Sequence, residues 1–237
     1  MSRIKLENVS VEIPLRGLSH IRHESQRVVR KSNGEIVIHA LNDISFEAGP
    51  GARVGILGAN GSGKTTLLRT LAGVVPATSG HISITGEVHA IFDLSDGMRF
   101  ALTGRENARL RYYLLGEPGG SEESFVQEVK EFADLGEFFD LPVNIYSPGM
   151  LSRLLLAMST VKHADILLID EWIGVADQAF QKKVSSRIND LIMSNDVFVL
   201  ASHSRDIIER TTDHTILLED GEITRVGKSH EIHNISS

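Results

Sequence analysis

The chain has 237 residues, enough for one large domain or two small ones, and its 41% hydrophobic and 23% charged residues are those of an ordinary globular protein. A net charge of −7 argues against a general nucleic-acid binder, and the absence of cysteine excludes disulfides, thiolate metal sites and a cysteine nucleophile. The charged start carries no signal-peptide pattern, and apolar runs reach roughly five residues, far short of the ~20 that span a bilayer.

Ile4 to Ile13 alternates apolar and polar residues, which predicts a strand with one buried face. Arg16 to Glu35 breaks that pattern and is basic: Arg16, Arg22, Arg27, Arg30 and Lys31, with His20 and His23, stand against Glu24 and Glu35. Asn33-Gly34 signals a turn, and a second strand is expected at Leu41 to Phe46. Pro50-Gly51 then turns the chain into a short apolar strand at Ala52 to Leu57. Gly58 to Thr66 reads GANGSGKTT, and a helix is expected over Thr65 to Ala72. His81 to Thr85 and Glu87 to Phe92 read as strands and Glu106 to Leu115 as a helix, stopped by the glycines and proline of Gly116 to Gly120. Ser121 opens the next helix, with Glu122 and Glu123 in a first turn that suits the helix dipole.

From Ser147 the pattern becomes αβαβ. Helices at Pro148 to Val161 and Gln178 to Met193 alternate with strands at Ile166 to Ile169 and Val197 to Ala201. A short helix at Arg205 to Arg210 precedes a closing hairpin, Thr215 to Leu218 and Glu222 to Val226. Strands alternating with helices imply an α/β fold with a parallel sheet. The helical stretch near Leu102 to Leu141 interrupts the alternation and reads as a subdomain.

GANGSGKTT fits the phosphate-loop pattern G-x-x-x-x-G-K-[ST] at Gly58, Gly63, Lys64 and Thr65, with a strand before it and a helix after it. Closely spaced glycines let the N–H groups of Ala59, Asn60, Gly61 and Ser62 turn inward as an anion nest, and the following helix points its N-terminus, with Thr66, at the same phosphates. Lys64 reaches the β- and γ-phosphates, and the Thr65 hydroxyl can ligate Mg²⁺. The strand at Ile166 to Ile169 runs into Asp170 and Glu171, at the strand end where doubly wound sheets place ligands. Asp170 is placed to hold Mg²⁺ through water, and Glu171 to activate an attacking water. His203 follows the next apolar strand, where an imidazole can bond the γ-phosphate.

With those residues in that order, the chain resembles an ATP-binding cassette (ABC) ATPase from about Ile4 to Val226. The resemblance implies an α/β P-loop NTPase fold with an antiparallel β-subdomain, a helical subdomain at about 100–162, and one domain over 1–237 that ends in a polar tail at 227–237. It also implies ATP and Mg²⁺ as ligands. Ser147, Pro148 and Gly149 stand where the family has its Leu-Ser-Gly-Gly-Gln signature. Carried over, Ser147 and Gly149 bind the γ-phosphate held by the opposite subunit of a homodimer, while Pro148 removes one N–H yet suits a first helical turn. Asp177 matches the subunit-bridging aspartate. Asp93 stands near the family's metal-contacting glutamine, and a carboxylate there is a harder, charged ligand. No Phe, Tyr or Trp lies between Met1 and Ser45 to stack on adenine. Ile13 or a neighbour is expected to pack the base, with weak discrimination between ATP and GTP.

The wording at Leu102 to Asn107, Glu131 to Gly136, Phe138 to Pro142, Tyr146 to Leu154 and Asp170 to Asp177 resembles the ATPases of capsular-polysaccharide and O-antigen exporters, with teichoic-acid exporters as near relatives. That branch implies a separate transmembrane permease subunit, a lipid-linked glycan as cargo, and a peripheral place on the cytoplasmic face of the membrane. Other exported cargo, a non-transport ABC ATPase and a binding module with decayed catalysis stay open. The basic segment from Arg16 to Lys31 reads either as a solvated loop or as a surface that meets anionic groups beside the permease.

Overall fold

The computed structural model describes residues 1–15, 27–32, 34–116, 120–161, 164–171 and 178–231. Arg16, Arg22, Asp177 and the tail beyond Glu231 lie outside the described residues. The chain divides into two compact units, one made of Met1–Phe92, Asp165–Trp172 and Asp196–Ser237, the other of Asp93–Ala164 and Ile173–Asn195.

The first unit holds two sheets. In chain order its elements are β1 (Arg3–Pro14), β2 (Val28–Arg30), β3 (Ile36–Ala48), β4 (Arg53–Leu57), α1 (Lys64–Leu71), β5 (Ser79–Thr85), β6 (Val88–Ile91), β7 (Ile166–Asp170), β8 (Val197–Ser202), then a short helix at Arg205–Thr211, β9 (His214–Glu219) and β10 (Glu222–Lys228). The smaller sheet is antiparallel in the order β2-β3-β1-β5. In β1 the buried residues shift from Ile4 and Leu6 to Val9 and Val11, an even-to-odd change that strict alternation forbids. A register shift between Leu6 and Val9, with Asn8 at φ 51°, absorbs it, so that all four side chains reach one core.

The larger sheet has the order β10-β9-β4-β8-β7-β6. From β9 to β6 its pairings are parallel, and β10 returns antiparallel at the edge. Every residue of β8 and all of β7 except Asp170 are buried, as both faces of an inner parallel strand should be. Leu67, Leu68 and Leu71 of α1 pack into the same core as Ile56, Leu168 and Val199.

The sequence reading places no strand between Arg16 and Glu35 and starts the second strand at Leu41. The structure differs: β3 begins at Ile36, and Val28 pairs with Ile38 on a three-residue edge strand. An edge strand with Val29 and Arg30 exposed has no alternation of its own and exists through pairing with β3.

The second unit is helical: α2 (Gly104–Leu114), α3 (Glu122–Ala133), α4 (Pro148–Ser159) and α5 (Gln178–Ser194), with two 3₁₀ turns at Gly136–Asp140 and Val143–Ile145. The starts of α2 and α3 carry capping boxes, Thr103 with Glu106 and Ser121 with Ser124. Phe139 is fully buried with Arg105 over its ring, and Phe132 meets Phe180 edge-on at 5.6 Å beneath Arg187. Among the described residues no helix is long and apolar enough to cross a membrane.

Candidate active site

Three adjacent parallel strands deliver the site. β8 lies between β4 and β7, with Leu57 opposite Ser202 and Ala201 opposite Asp170. The carboxyl ends therefore bring the phosphate loop, His203 and Glu171 to one edge of the sheet, where such sheets hold their ligands.

The loop's shape depends on close backbone approach. A Cβ at Gly58 would stand 2.3 Å from the Leu218 carbonyl and 2.5 Å from Ser62 Oγ. Gly63, at φ 112°, opens α1, and its Cβ would stand 2.7 Å from the Ala40 carbonyl. The first N–H groups of α1 have no side-chain cap, which leaves them for a ligand. The loop is braced by the closing hairpin: Gly221 N donates to Ser62 O at 2.8 Å, and Asn42 N donates to Gly221 O at 2.8 Å. Lys64 is buried and donates to Gly58 O at 2.8 Å and Ala59 O at 3.0 Å. Ser62 Oγ is buried with no hydrogen-bond partner among the described residues.

Glu171 sits just past β7 at φ 66°, a left-handed conformation that costs a side-chain-bearing residue ~1–2 kcal/mol. Its N–H donates to Ala201 O at 2.9 Å, which turns the side chain toward β8. There Ser202 Oγ and His203 N donate to the carboxylate at 3.1 and 3.2 Å, and His203 Nδ1 lies 3.0 Å from both oxygens. Acid and imidazole thus form a directly bonded pair at the rim, and both stay solvent-accessible.

Two clefts flank the loop. One, of about 540 Å³, is lined by Lys64, Thr65, Thr66, Asp170 and Glu171, with Ile13, Ile38 and Phe92. The other, of about 1090 Å³, brings His203, Arg205 and Arg225 against Gly58 to Ser62. Thr65 and Asp170 share the first cleft as hard oxygen donors. No cluster of three or more metal-binding side chains occurs among the described residues, and Mg²⁺ beside a nucleotide draws most of its ligands from phosphates and water.

Ser147 and Gly149 belong to the second unit. Ser147 caps α4, accepting from Met150 N at 3.3 Å, and Pro148 occupies the first helical turn. The preceding Tyr146 donates to Phe138 O at 2.6 Å, and burial pushes its phenol pKa up. Gly149 has open space where a Cβ would be, with Ser147 Oγ nearest at 3.9 Å. Asp93 also belongs to the second unit, where its Oδ1 accepts from Ser95 N at 2.8 Å and Ser95 Oγ at 2.7 Å.

One site residue escaped the sequence reading. Arg27, grouped there with a basic surface segment, faces inward and lines both clefts. Only its register beside β3 reveals this, because His39 N donates to Arg27 O at 2.8 Å.

Residues 41–174 match the family model described as ABC transporter, more than half of the chain. The chain belongs to the ABC transporter family. This ABC protein is 42% identical over 229 residues to the O-antigen export system ATP-binding protein RfbE of Yersinia enterocolitica, covering 93% of this chain and 96% of that one. It is 37% identical over 193 residues to the teichoic acids export ATP-binding protein TagH of Listeria innocua, covering 81% of this chain and 57% of TagH, so it spans little more than half of that relative. The dimeric, post-hydrolysis ATP-binding cassette MJ0796 bound to ADP and Pi superposes with a TM-score of 0.71 over 95% of this chain and 98% of the other, at 21% identity, which shows a common fold. The chain is an ABC-type ATPase, with an antiparallel sheet, a mainly parallel sheet and a helical unit.

Proposed function

We propose that this ABC ATPase drives export of a lipid-linked cell-surface glycan across the cytoplasmic membrane, as a homodimer on the cytoplasmic face beside a separate permease subunit. The observation that carries the ATPase half is the meeting of phosphate loop, Asp170–Glu171 pair and His203 on three neighbouring strand ends. The cargo is inferred from relatives named for O-antigen and teichoic-acid export.

In this reading Lys64 exchanges the Gly58 and Ala59 carbonyls for β- and γ-phosphate oxygens, a stronger charge-assisted contact. The N–H groups of the loop and of α1, with the orphan Ser62 hydroxyl, complete the cradle. Thr65 and Asp170 are the residues that would hold Mg²⁺; the ion would offset charge on the phosphate oxygens. Glu171 takes a proton from the attacking water as the water oxygen bonds to the γ-phosphorus. The bond from that phosphorus to the β–γ bridging oxygen breaks, and ADP leaves with the electron pair. The backbone N–H of His203 orients the carboxylate, and its imidazole hydrogen-bonds the γ-phosphate.

Ser147 and Gly149 would reach the γ-phosphate in the opposite subunit, with Asp177 bridging the two copies. Among the described residues nothing crowds the Cβ position of Gly149, which leaves room for the close approach of a phosphate group from outside. Ile13, 41% exposed in the first cleft, would pack the base.

The test is replacement of the chromosomal copy by Glu171→Gln. Surface glycan should disappear while its lipid-linked precursor accumulates inside the cell. Normal surface glycan would refute the export assignment.

A further inference from the structure

The base end of the first cleft has an unusual wall. Ile13 and Ile38 are cross-strand partners, Val28 pairs with Ile38 on the far side, and Arg27 precedes Val28, its carbonyl accepting from His39 N. The side chain of Arg27 is held by three carbonyls: Nε donates to His39 O at 3.1 Å, Nη2 to Ala40 O at 3.0 Å, and Nη1 to Gly61 O. All guanidinium hydrogens lie in the plane of the group, so three such bonds to β3 and the phosphate loop fix the orientation of that plane. They leave its two π faces unengaged by hydrogen bonds. Phe92, the aromatic ring of this cleft, follows β6 and stands beside the Asp170 strand, on the carboxylate side.

We propose that the fixed guanidinium of Arg27 is the platform on which the nucleobase stacks, with Ile13 and Ile38 covering the base's apolar edge. A planar cation over a purine face is attracted by the π system, and Arg is the side chain best shaped for it. Stacking of this kind does not read the base's hydrogen-bonding edge, because every base has a π face. The platform is therefore tolerant: adenine and guanine should bind alike. The bond from Nη1 to Gly61 O places the platform next to the phosphate loop.

The test is equilibrium binding of ATP, GTP and inorganic tripolyphosphate to the purified wild type and to Arg27→Ala, Arg27→Lys and Arg27→Trp. Wild type should bind ATP and GTP within about threefold of each other. Arg27→Ala should weaken both by about fivefold to thirtyfold, the equivalent of a desolvated cation–π contact, and tripolyphosphate by less than twofold. Arg27→Trp, which restores a flat ring without a charge, should recover most of the loss, whereas Arg27→Lys, with a charge but no plane, should not. Equal losses for nucleotide and tripolyphosphate would overturn the platform and leave Arg27 a brace on Gly61. Unchanged affinity for all three ligands in every variant would remove Arg27 from the site altogether. These outcomes are independent of which cargo the protein exports.

Discussion

Glu171→Gln isolates the chemical step from the structure around it. The carboxylate accepts from Ser202 Oγ and His203 N and faces His203 Nδ1 at 3.0 Å. Glutamine keeps one carbonyl oxygen for His203 N, and its amide can donate to Ser202 Oγ, whose lone pairs are able to accept. The left-handed backbone at 171 costs both residues about the same, so folding stability should change by less than about 1 kcal/mol and the unfolding midpoint by no more than ~4 °C. An amide cannot take a proton from water at neutral pH. Loss of a general base is worth about 10²- to 10⁴-fold in kcat, or ~2.7–5.5 kcal/mol of barrier. The assay is phosphate release under saturating ATP, paired with nucleotide affinity and a thermal melt. ATP affinity should stay within about threefold of wild type. Turnover within tenfold of wild type, or a loss that lies wholly in affinity, would refute the role given to Glu171.

Gly58→Ala should fold but bind ATP at least about a hundredfold more weakly, because its methyl group would overlap the Leu218 carbonyl at 2.3 Å and force the loop off its wall; calorimetry with ATP checks this. Thr103→Ala should lower stability by about 1 kcal/mol through loss of the α2 cap, read as a lower thermal midpoint. Hydrogen bonds from the backbone N–H and the hydroxyl of Thr103 hold the Glu106 carboxyl below its usual pKa. The stabilisation they give is therefore complete above the unfolded value of about 4.3 and is lost as pH falls through the lower folded one. Glu106→Gln should flatten that part of the stability–pH curve. Phe139→Ala, which empties a fully buried site, should cost about 3–5 kcal/mol by chemical denaturation. Charge reversal at Arg30 alone should spare nucleotide binding, and adding Arg27→Glu should impair it, since Arg27 lines both clefts beside the phosphate loop. Equal binding by the single and double variants would contradict that placement.

The inner strands were legible because burial on both faces leaves an unbroken apolar signature, as at Ile166 to Ile169 and Val197 to Ala201. The phosphate loop was legible because its glycines answer to local backbone need, and the start of α4 because Ser147 and Pro148 are local cap chemistry. The edge strand at Val28–Arg30 was not, because Val29 and Arg30 are exposed and three residues show no period of their own, and the first half of β3 was not, because its burial from Ile36 to Leu41 departs from strict alternation. Arg27 was hidden as well. Its composition says surface, and only the approach of His39, Ala40 and Gly61 from elsewhere in the chain turns it inward. The left-handed turn at Glu171 also lies beyond sequence reasoning, since Glu is an ordinary residue forced there by the bond to Ala201.

The hairpin of β9 and β10 gives the order of synthesis a chemical meaning. Leu218 and Gly221 wall and tether a phosphate loop translated long before them. A nascent chain whose last two strands are still inside the ribosome has the GANGSGKTT residues but not the surface that shapes them. The loop thus takes its nucleotide-ready shape only once Gly221 has left the ribosome, and a chain stalled earlier would carry the motif without its wall.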